Sequence, residues 1–302
     1  MLGKTLLKTW QLFRASEPDA GSLQEPFPYR AWKWLWQQAP GVREPDLFDR
    51  LDAVDWDVLI LLDACRYDTL ADITTNAVVD RARSPASATP GFLSAANEAR
   101  QFEETVYVSA NPQSGKRSPS PNCEHVPVYE TEWDDNLATV RAEDVYDAVR
   151  DHVGGDRPVV AHTLQPHYPH VCAVDGRTVP VPGGVHPRFF ADEWYHGEKL
   201  QAMLANGLFD TARARRSYEA CVRYAWERAS EFAAELADDG HRVVISADHG
   251  ELFGERGLVE HPVGVAVEPV VAVPWVVFEP ETSVETPETV SDRLVALGYA
   301  EE

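Results

Sequence analysis

Five short runs of mostly aliphatic and aromatic residues punctuate the chain, at 56–63, 104–110, 157–164, 241–247 and 271–278. Each is bounded by polar or turn-forming positions, the pattern of strands buried on both faces. Between them, apolar residues recur every three to four positions near 66–75, 90–100, 141–153 and 209–238, which predicts helices. The last is the clearest. Tyr218, Val222, Ala225, Ala229, Phe232 and Leu236 share one face, and Gly240 follows as a stop signal. Strands alternating with helices predict an α/β fold: a mainly parallel central sheet with helices on both faces. Two segments carry neither period. Residues 111–136 are rich in Pro, Ser and Asn, residues 165–197 in Pro, Gly and His. Both read as loops over a site, because such sheets bind ligands beyond the carboxyl ends of their strands.

Two of the predicted strands run into carboxylates. Val58 to Leu62 lead directly into Asp63, and Val243 to Ile245 lead into Asp248-His249-Gly250. A buried carboxylate is costly unless paired or bound to a cation. Two Asp and a His at one sheet edge therefore predict a divalent-metal site with oxygen and nitrogen ligands. A third strand runs into His162, His167 and His170, and His261 follows His249 across a Gly-containing turn. Against this stand structural readings: Asp-His-Gly as a capped turn, and each His as a satisfied buried side chain. For a nucleophile, Thr89 precedes Pro90, a favoured first helical residue. Thr89 is thus a natural N-cap. The same position suits an attacking hydroxyl, since helix amides stabilise negative charge there. Ser84 and Ser87 compete for the role.

Composition narrows the partners. The 302 residues suit one large α/β domain, taken as 46–302, after an N-terminal segment of 1–45. The net charge is −22, and only five of the 27 basic residues are Lys. Adaptation to a salt-rich interior is the first reading, an ordinary acidic protein the second. Nucleic acid is excluded as a partner, because phosphate binding needs a basic footprint. Cys65, Cys123, Cys172 and Cys221 form no CxxC pair, so neither a zinc ribbon nor a disulfide framework is indicated, and a cytoplasmic location is expected. No apolar stretch approaches the length of a spanning helix. Leu2, Leu6, Trp10 and Phe13 share a helical face beside Lys4, Lys8 and Arg14, and Trp32, Trp34 and Trp36 follow. These segments read either as helices packed on the main domain or as a peripheral membrane contact through residues 1–40.

The order of the pieces resembles the alkaline phosphatase superfamily, and its sulfatase-like branch in particular. LILLDACRYDTL resembles that branch's first-strand motif, Asp-x-x-Arg-x-Asp-x-Leu, in Asp63, Arg66, Asp68 and Leu70. SPASATPGF stands at the nucleophile position, and HTLQPHYPH is similar to the His-Pro substrate loop. SADHGELFGERGLVEH resembles the Asp-His-Gly-Glu signature of sulfatases and lipid-A phosphoethanolamine transferases. The resemblance implies Asp63, Asp248 and His249 as metal ligands, with Thr89 as nucleophile and further ligand. It implies that His167 and His261 contact the transferring group or hold a second metal, and that Arg66 and Asp68 brace the first loop. Zinc, manganese or magnesium is the implied ion, with calcium a further candidate.

The departures from the family matter. Formylglycine sulfatases carry Cys/Ser-x-Pro-x-Arg, whereas Thr89 is followed by Pro-Gly-Phe. Asp63 is followed by Ala64, where many sulfatases have a second Asp. The small C-terminal domain of many sulfatases is expected to be missing or reduced. A Thr nucleophile resembles the phosphoryl-transferring members. The expectation is a metal-dependent hydrolase or transferase acting on a phosphate mono- or diester through a covalent threonine. Its substrate would be a small-molecule, glycan-linked or lipid-linked anionic ester. The alternatives are a sulfatase, a non-catalytic binding protein on the same fold, and a membrane-surface scaffold.

The charge generates the first testable outcome. Screening relieves self-repulsion, so the melting temperature should rise steadily from dilute buffer to about 2 M KCl. A flat or falling melting curve series would contradict the salt-adapted reading.

Overall fold

The computed structural model describes residues 25–39, 41, 43–75, 77–185, 200–207 and 210–280. The apolar positions between Leu2 and Phe13, the second half of the 165–197 segment from 186 on, and residues 281–302 lie outside the described residues. In chain order the elements are α1 (Phe27–Gln37), α2 (Leu47–Asp52), β1 (Val58–Asp63), α3 (Tyr67–Ile73), β2 (Asp80–Arg83), α4 (Thr89–Ala99), β3 (Val106–Ser109), α5 (Gln113–Lys116), β4 (Glu124–Pro127) and α6 (Ala142–Arg150). There follow β5 (Val159–Pro166), β6 (Val171–Val174), β7 (Arg177–Pro180), α7 (Leu200–Ala205), α8 (Thr211–Asp238), β8 (Val243–Ser246), β9 (Leu252–Phe253), β10 (Val259–Glu260), α9 (Glu268–Val271) and β11 (Ala272–Phe278).

Seven strands form one sheet in the order β2-β11-β8-β1-β5-β3-β4. The run β8-β1-β5-β3-β4 is parallel throughout. At the other edge β11 runs antiparallel to β8, and β2 antiparallel to β11. The sheet is therefore mainly parallel, with helices around it. All six residues of β1 are buried, as expected of a central strand covered on both faces. The five apolar runs all became strands of this sheet. Its two outermost strands, β2 and β4, were not anticipated: half or more of their residues reach solvent, so neither shows an apolar run. The segments expected to be irregular also hold structure. Residues 111–136 contain α5 and β4, and 165–185 contain the β6–β7 hairpin.

The 28-residue helix α8 packs on β5, β6 and β8 and against α3 and α6. Asp210 caps its start, accepting a hydrogen bond from the Ala212 amide. At its end Gly240 takes a φ of 93°. Its amide donates to Ala237 O, and that of His241 to Leu236 O, the paired bonds of a Schellman stop. From the buried side of α8, the Tyr218 hydroxyl donates to Ala64 O at 2.7 Å and accepts from the Arg66 amide at 2.8 Å. This fixes the turn that leaves β1. The turn needs fixing, because Ala64 has a φ of 62°, a left-handed backbone that costs an L-residue about 1–2 kcal/mol.

Tyr218→Phe would strand both backbone groups in a buried place. Urea denaturation should show a loss of about 2 kcal/mol. Unchanged stability would mean that the Tyr218 hydroxyl does not hold this turn.

Candidate active site and metal centre

The carboxyl ends of β1, β3, β5 and β8 meet at one place. Asp63 is the last residue of β1, and Asp248 lies two positions beyond β8. Asn111 follows β3, while His162 sits in β5 and His167 just past it. The pairing of β1 with β5 is irregular between Leu61 and Asp63, so that Asp63 comes opposite Pro166. The left-handed Ala64 then aims its amide at Asp248 Oδ1, 3.2 Å away.

Asp63, Asp248 and His249 are all buried, and one ligand atom from each lies within 4.8 Å of the others. Asp248 Oδ1 accepts from the amides of Ala64 and His249. Asp63 Oδ2 accepts from Asn111 Nδ2 at 2.6 Å. The remaining oxygens, Asp63 Oδ1 and Asp248 Oδ2, are buried without a hydrogen-bond partner. His249 Nε2 is 3.4 Å from each of them. The tautomer decides what this means. His249 Nδ1 faces its neighbour's carbonyl, Gly250 O, at 2.9 Å, so Nδ1 carries the proton and donates. Nε2 then presents a lone pair to two carboxylate oxygens. Three electron-rich atoms turned toward one point, with no donor among them, fit a divalent cation. Without one, burial and the Asp248 charge push Asp63 well above the ordinary carboxylate range. Asp63 thus holds a proton more readily than a free carboxyl, and a cation bound there would compete with that proton.

Thr89 joins this group. Its Oγ1 lies 3.2 Å from His249 Nε2 and 3.4 Å from Asn111 Nδ2. The N-cap expectation for Thr89 is corrected: Ala88 caps α4, its carbonyl accepting from the amides of Gly91 and Phe92. Thr89 opens the helix proper and makes no capping bond, so its hydroxyl is free to face the cluster. The two competing serines are committed elsewhere. Ser84 Oγ donates to Asp248 O. Ser87 Oγ donates to Pro262 O at 3.1 Å and accepts from the Gly264 amide at 2.9 Å.

The histidines separate into distinct places. His261 Nδ1 lies 3.2 Å from Glu251 Oε2, and its ring is 4.5 Å from that of His249 and 5.0 Å from that of His167. Burial opposes charge on His261, but the Glu251 carboxylate raises its pKa to about 9. Burial, and then the His261 charge, push His167 down to about 4. One ring is thus cationic and its neighbour neutral at pH 7. His162 lies behind the Asp63–Asp248–His249 cluster: Nδ1 meets the Tyr107 hydroxyl at 2.9 Å, and Nε2 is 3.7 Å from Asp248 Oδ2. His170 lies apart, bonded to Ser217 on α8.

Arg66 braces the first loop as expected. Its Nε donates to Asp68 Oδ1 at 2.8 Å. It also reaches Glu251 O at 3.0 Å and Glu255 Oε1 at 2.6 Å, tying the β1 loop to the Asp-His-Gly-Glu segment. Gly250 is required there, since a Cβ would come within 2.2 Å of Pro269 O. Sequence reasoning gave no role to Asn111, Glu251 or Tyr107. Asn111 was hidden in an Asn-Pro pair that reads as a turn. Glu251 was quoted only within its motif, and Tyr107 looks like any strand aromatic.

No protein-family model matches the sequence, and no curated protein matches it. Solved structures do share its architecture. The integral-membrane lipooligosaccharide phosphoethanolamine transferase A of Neisseria meningitidis superposes with a TM-score of 0.51 at 14% identity. That match covers 93% of this chain and 54% of the transferase, so the chain spans about half of that protein's length. The periplasmic domain of a phosphoethanolamine transferase from Campylobacter jejuni gives 0.48 at 14% identity, over 80% and 81% of the two chains. A 2-O GAG sulfatase gives 0.44 at 12%, over 74% and 64%. At such identities the likeness shows the fold alone: the chain shares the α/β architecture of that Neisseria meningitidis phosphoethanolamine transferase.

Proposed function

We propose that this protein is a metal-dependent hydrolase or transferase that cleaves a phosphate ester through a covalent threonine intermediate. The observation that carries the reading is the uncapped Thr89 hydroxyl, 3.2 Å from His249 Nε2 and beside the two partnerless carboxylate oxygens. Asp63, Asp248 and His249 would hold a divalent ion, with Thr89 as a further ligand. When bound, that ion would lower the pKa of the Thr89 hydroxyl and neutralise charge on the transferring group.

The chain's own residues then divide the work. Thr89 Oγ attacks phosphorus in line: the Oγ–P bond forms, the bond to the leaving oxygen breaks, and the proton Thr89 gives up is balanced by the one the leaving oxygen takes up from solvent. Asn111 Nδ2 holds both Asp63 and the nucleophile in position. The His261 cation, kept protonated by Glu251, faces the negative charge of the group in transfer. Neutral His167 accepts the proton of the water or alcohol that next attacks the phospho-threonine, which regenerates Thr89. The sulfate alternative is disfavoured because a threonine sulfate cannot be expelled by collapse to an aldehyde, as a formylglycine hydrate can.

Three outcomes follow. First, the wild-type protein, saturated with zinc or manganese and dialysed, should retain about one equivalent. Asp248→Asn keeps the oxygen that accepts from Ala64 and His249 but replaces the inward oxygen with an amide. It should hold less than about a tenth as much, while its metal-free form gains stability because repulsion from Asp63 is gone. A wild type that retains almost no metal would refute the centre.

Second, Thr89→Ala should lose at least about 1,000-fold in kcat with an unchanged circular dichroism spectrum. Ser87→Ala should retain turnover. Near-normal activity in Thr89→Ala would assign the attack to another group.

Third, the metal-loaded protein should cleave an aryl phosphate mono- or diester at least about tenfold faster in kcat/KM than the matching aryl sulfate. The reverse ratio would restore the sulfatase reading.

A further inference from the structure

His162 is a costly residue for its place. It sits in β5, between β1 and β3, with Leu61 and Ser109 as its neighbours across the strands, and none of it reaches solvent. Central strands of such sheets are built mainly from aliphatic residues, and a buried imidazole needs a partner for each ring nitrogen. One partner is plain. Tyr107 lies two positions before Ser109 on β3, on the same face of the sheet, and its hydroxyl is 2.9 Å from His162 Nδ1. Phe102 packs on the Tyr107 ring at 5.6 Å, and Phe48 and Phe92 pack on Phe102 in turn. Aromatic packing thus fixes where the hydroxyl points. The second nitrogen, Nε2, is buried without a hydrogen-bond partner. The atom it faces is Asp248 Oδ2, 3.7 Å away and equally without one. That gap exceeds an ordinary hydrogen bond by about 0.7 Å, whereas a water between the two atoms would need about 4.5 Å. A small turn of either side chain closes it.

The tautomer of His162 follows from the hydroxyl. Among the described residues, the Tyr107 hydroxyl has no hydrogen-bond partner other than His162. Accepting from Nδ1 would leave its own hydrogen buried and unmet. It would also turn the Nε2 lone pair on a carboxylate oxygen. Donating to Nδ1 avoids both, and leaves the ring hydrogen on Nε2, facing Asp248. We infer that Tyr107 and His162 act in series as positioning residues for Asp248: the phenol sets the tautomer, and the His162 Nε2–H holds Asp248 Oδ2 from behind. Oδ1 of Asp248 is already fixed by the amides of Ala64 and His249. Oδ2 is the oxygen turned toward the proposed cation, and among the described residues only His162 is placed to fix its direction. With one lone pair taken by His162, the other stays aimed between Asp63 and His249. Hydrogen bonds of this kind orient a ligating carboxylate and tighten its hold on a metal. His162 itself stands outside the group of Asp63, Asp248 and His249, whose ligand atoms lie within 4.8 Å of one another. The effect on metal binding rests on the centre proposed above; the order Tyr107, His162, Asp248 does not.

The test needs no turnover. Zinc affinity of the full chain is measured by competition with a chromophoric chelator, and each variant is checked by circular dichroism. His162→Leu fills much of the same space without a donor and should bind zinc about 10- to 100-fold more weakly. His162→Gln sets an amide N–H near the place of Nε2 and should recover most of that loss. Tyr107→Phe frees the ring to take the other tautomer and should weaken zinc binding about tenfold. A residue that served only the core would leave zinc affinity equal in His162→Leu and wild type, and that result would overturn the inference. The second measurement is on the wild type, so it stands even where a variant fails to fold. In 15N-histidine-labelled protein, long-range 1H–15N spectra should place the His162 hydrogen on Nε2, both without zinc and with it. A hydrogen on Nδ1 would overturn the inference. So would an Nε2 that loses its hydrogen when zinc is added, because His162 would then be a ligand itself. A chain that takes up no zinc, yet keeps that hydrogen on Nε2 and moves it in Tyr107→Phe, would refute the metal centre and uphold the hydrogen-bonded series.

Discussion

Two carboxylates that water cannot reach, Asp63 and Asp248, stand beside one another at the ends of the adjacent strands β1 and β8. Each has one oxygen satisfied by neighbouring N–H groups and one turned toward the His249 Nε2 lone pair. Burial and the Asp248 charge together raise the pKa of Asp63, so the two carboxylates resist carrying charge side by side. A divalent cation held among these three atoms, as proposed above, would relieve that repulsion. The surrounding structure serves to hold this unfavourable grouping in place.

The holding is done from several directions. Tyr218 on α8 fixes the left-handed Ala64, whose amide is one of the two donors to Asp248. Arg66 ties the β1 loop to Glu251 O and Glu255, joining the first and last motifs in the sequence. Asn111 bridges Asp63 and Thr89. The hairpin beyond Glu251 brings His261 back over His249 and is itself clamped by α1. The proposed metal ligands, nucleophile and phosphate-facing histidine thus come from five separate stretches of chain, each fastened by at least one hydrogen bond outside its own element.

Much of this was legible in sequence, for identifiable reasons. β1, β3, β5, β8 and β11 are buried and therefore apolar in a row, and α8 shows its buried face at helical spacing over many turns. Asp63 and Asp248-His249 stand out because charge interrupts those runs. What sequence could not carry was whatever depends on neighbours. The edge strands β2 and β4 are part-exposed and look like loops. That β11 runs antiparallel is decided by the path taken to reach it. Thr89 looked like a helix cap, and only the Ala88 carbonyl, accepting from Gly91 and Phe92, shows that it is not. Ser84 and Ser87 were equal rivals until their partners, Asp248 O and Pro262 O, were known. Asn111 could not have been found at all, because its role lies in two contacts 48 and 22 residues away.

The central claim is that Thr89 becomes covalently phosphorylated. The direct measurement is the intact mass of metal-loaded protein, mixed with an aryl phosphate ester and quenched in acid within the first turnovers, followed by peptide mapping. For a phosphomonoester substrate the account predicts an added mass of about 80 Da confined to the peptide bearing Thr89. Steady turnover with no adduct under rapid quench, or an adduct on any other residue, would contradict it.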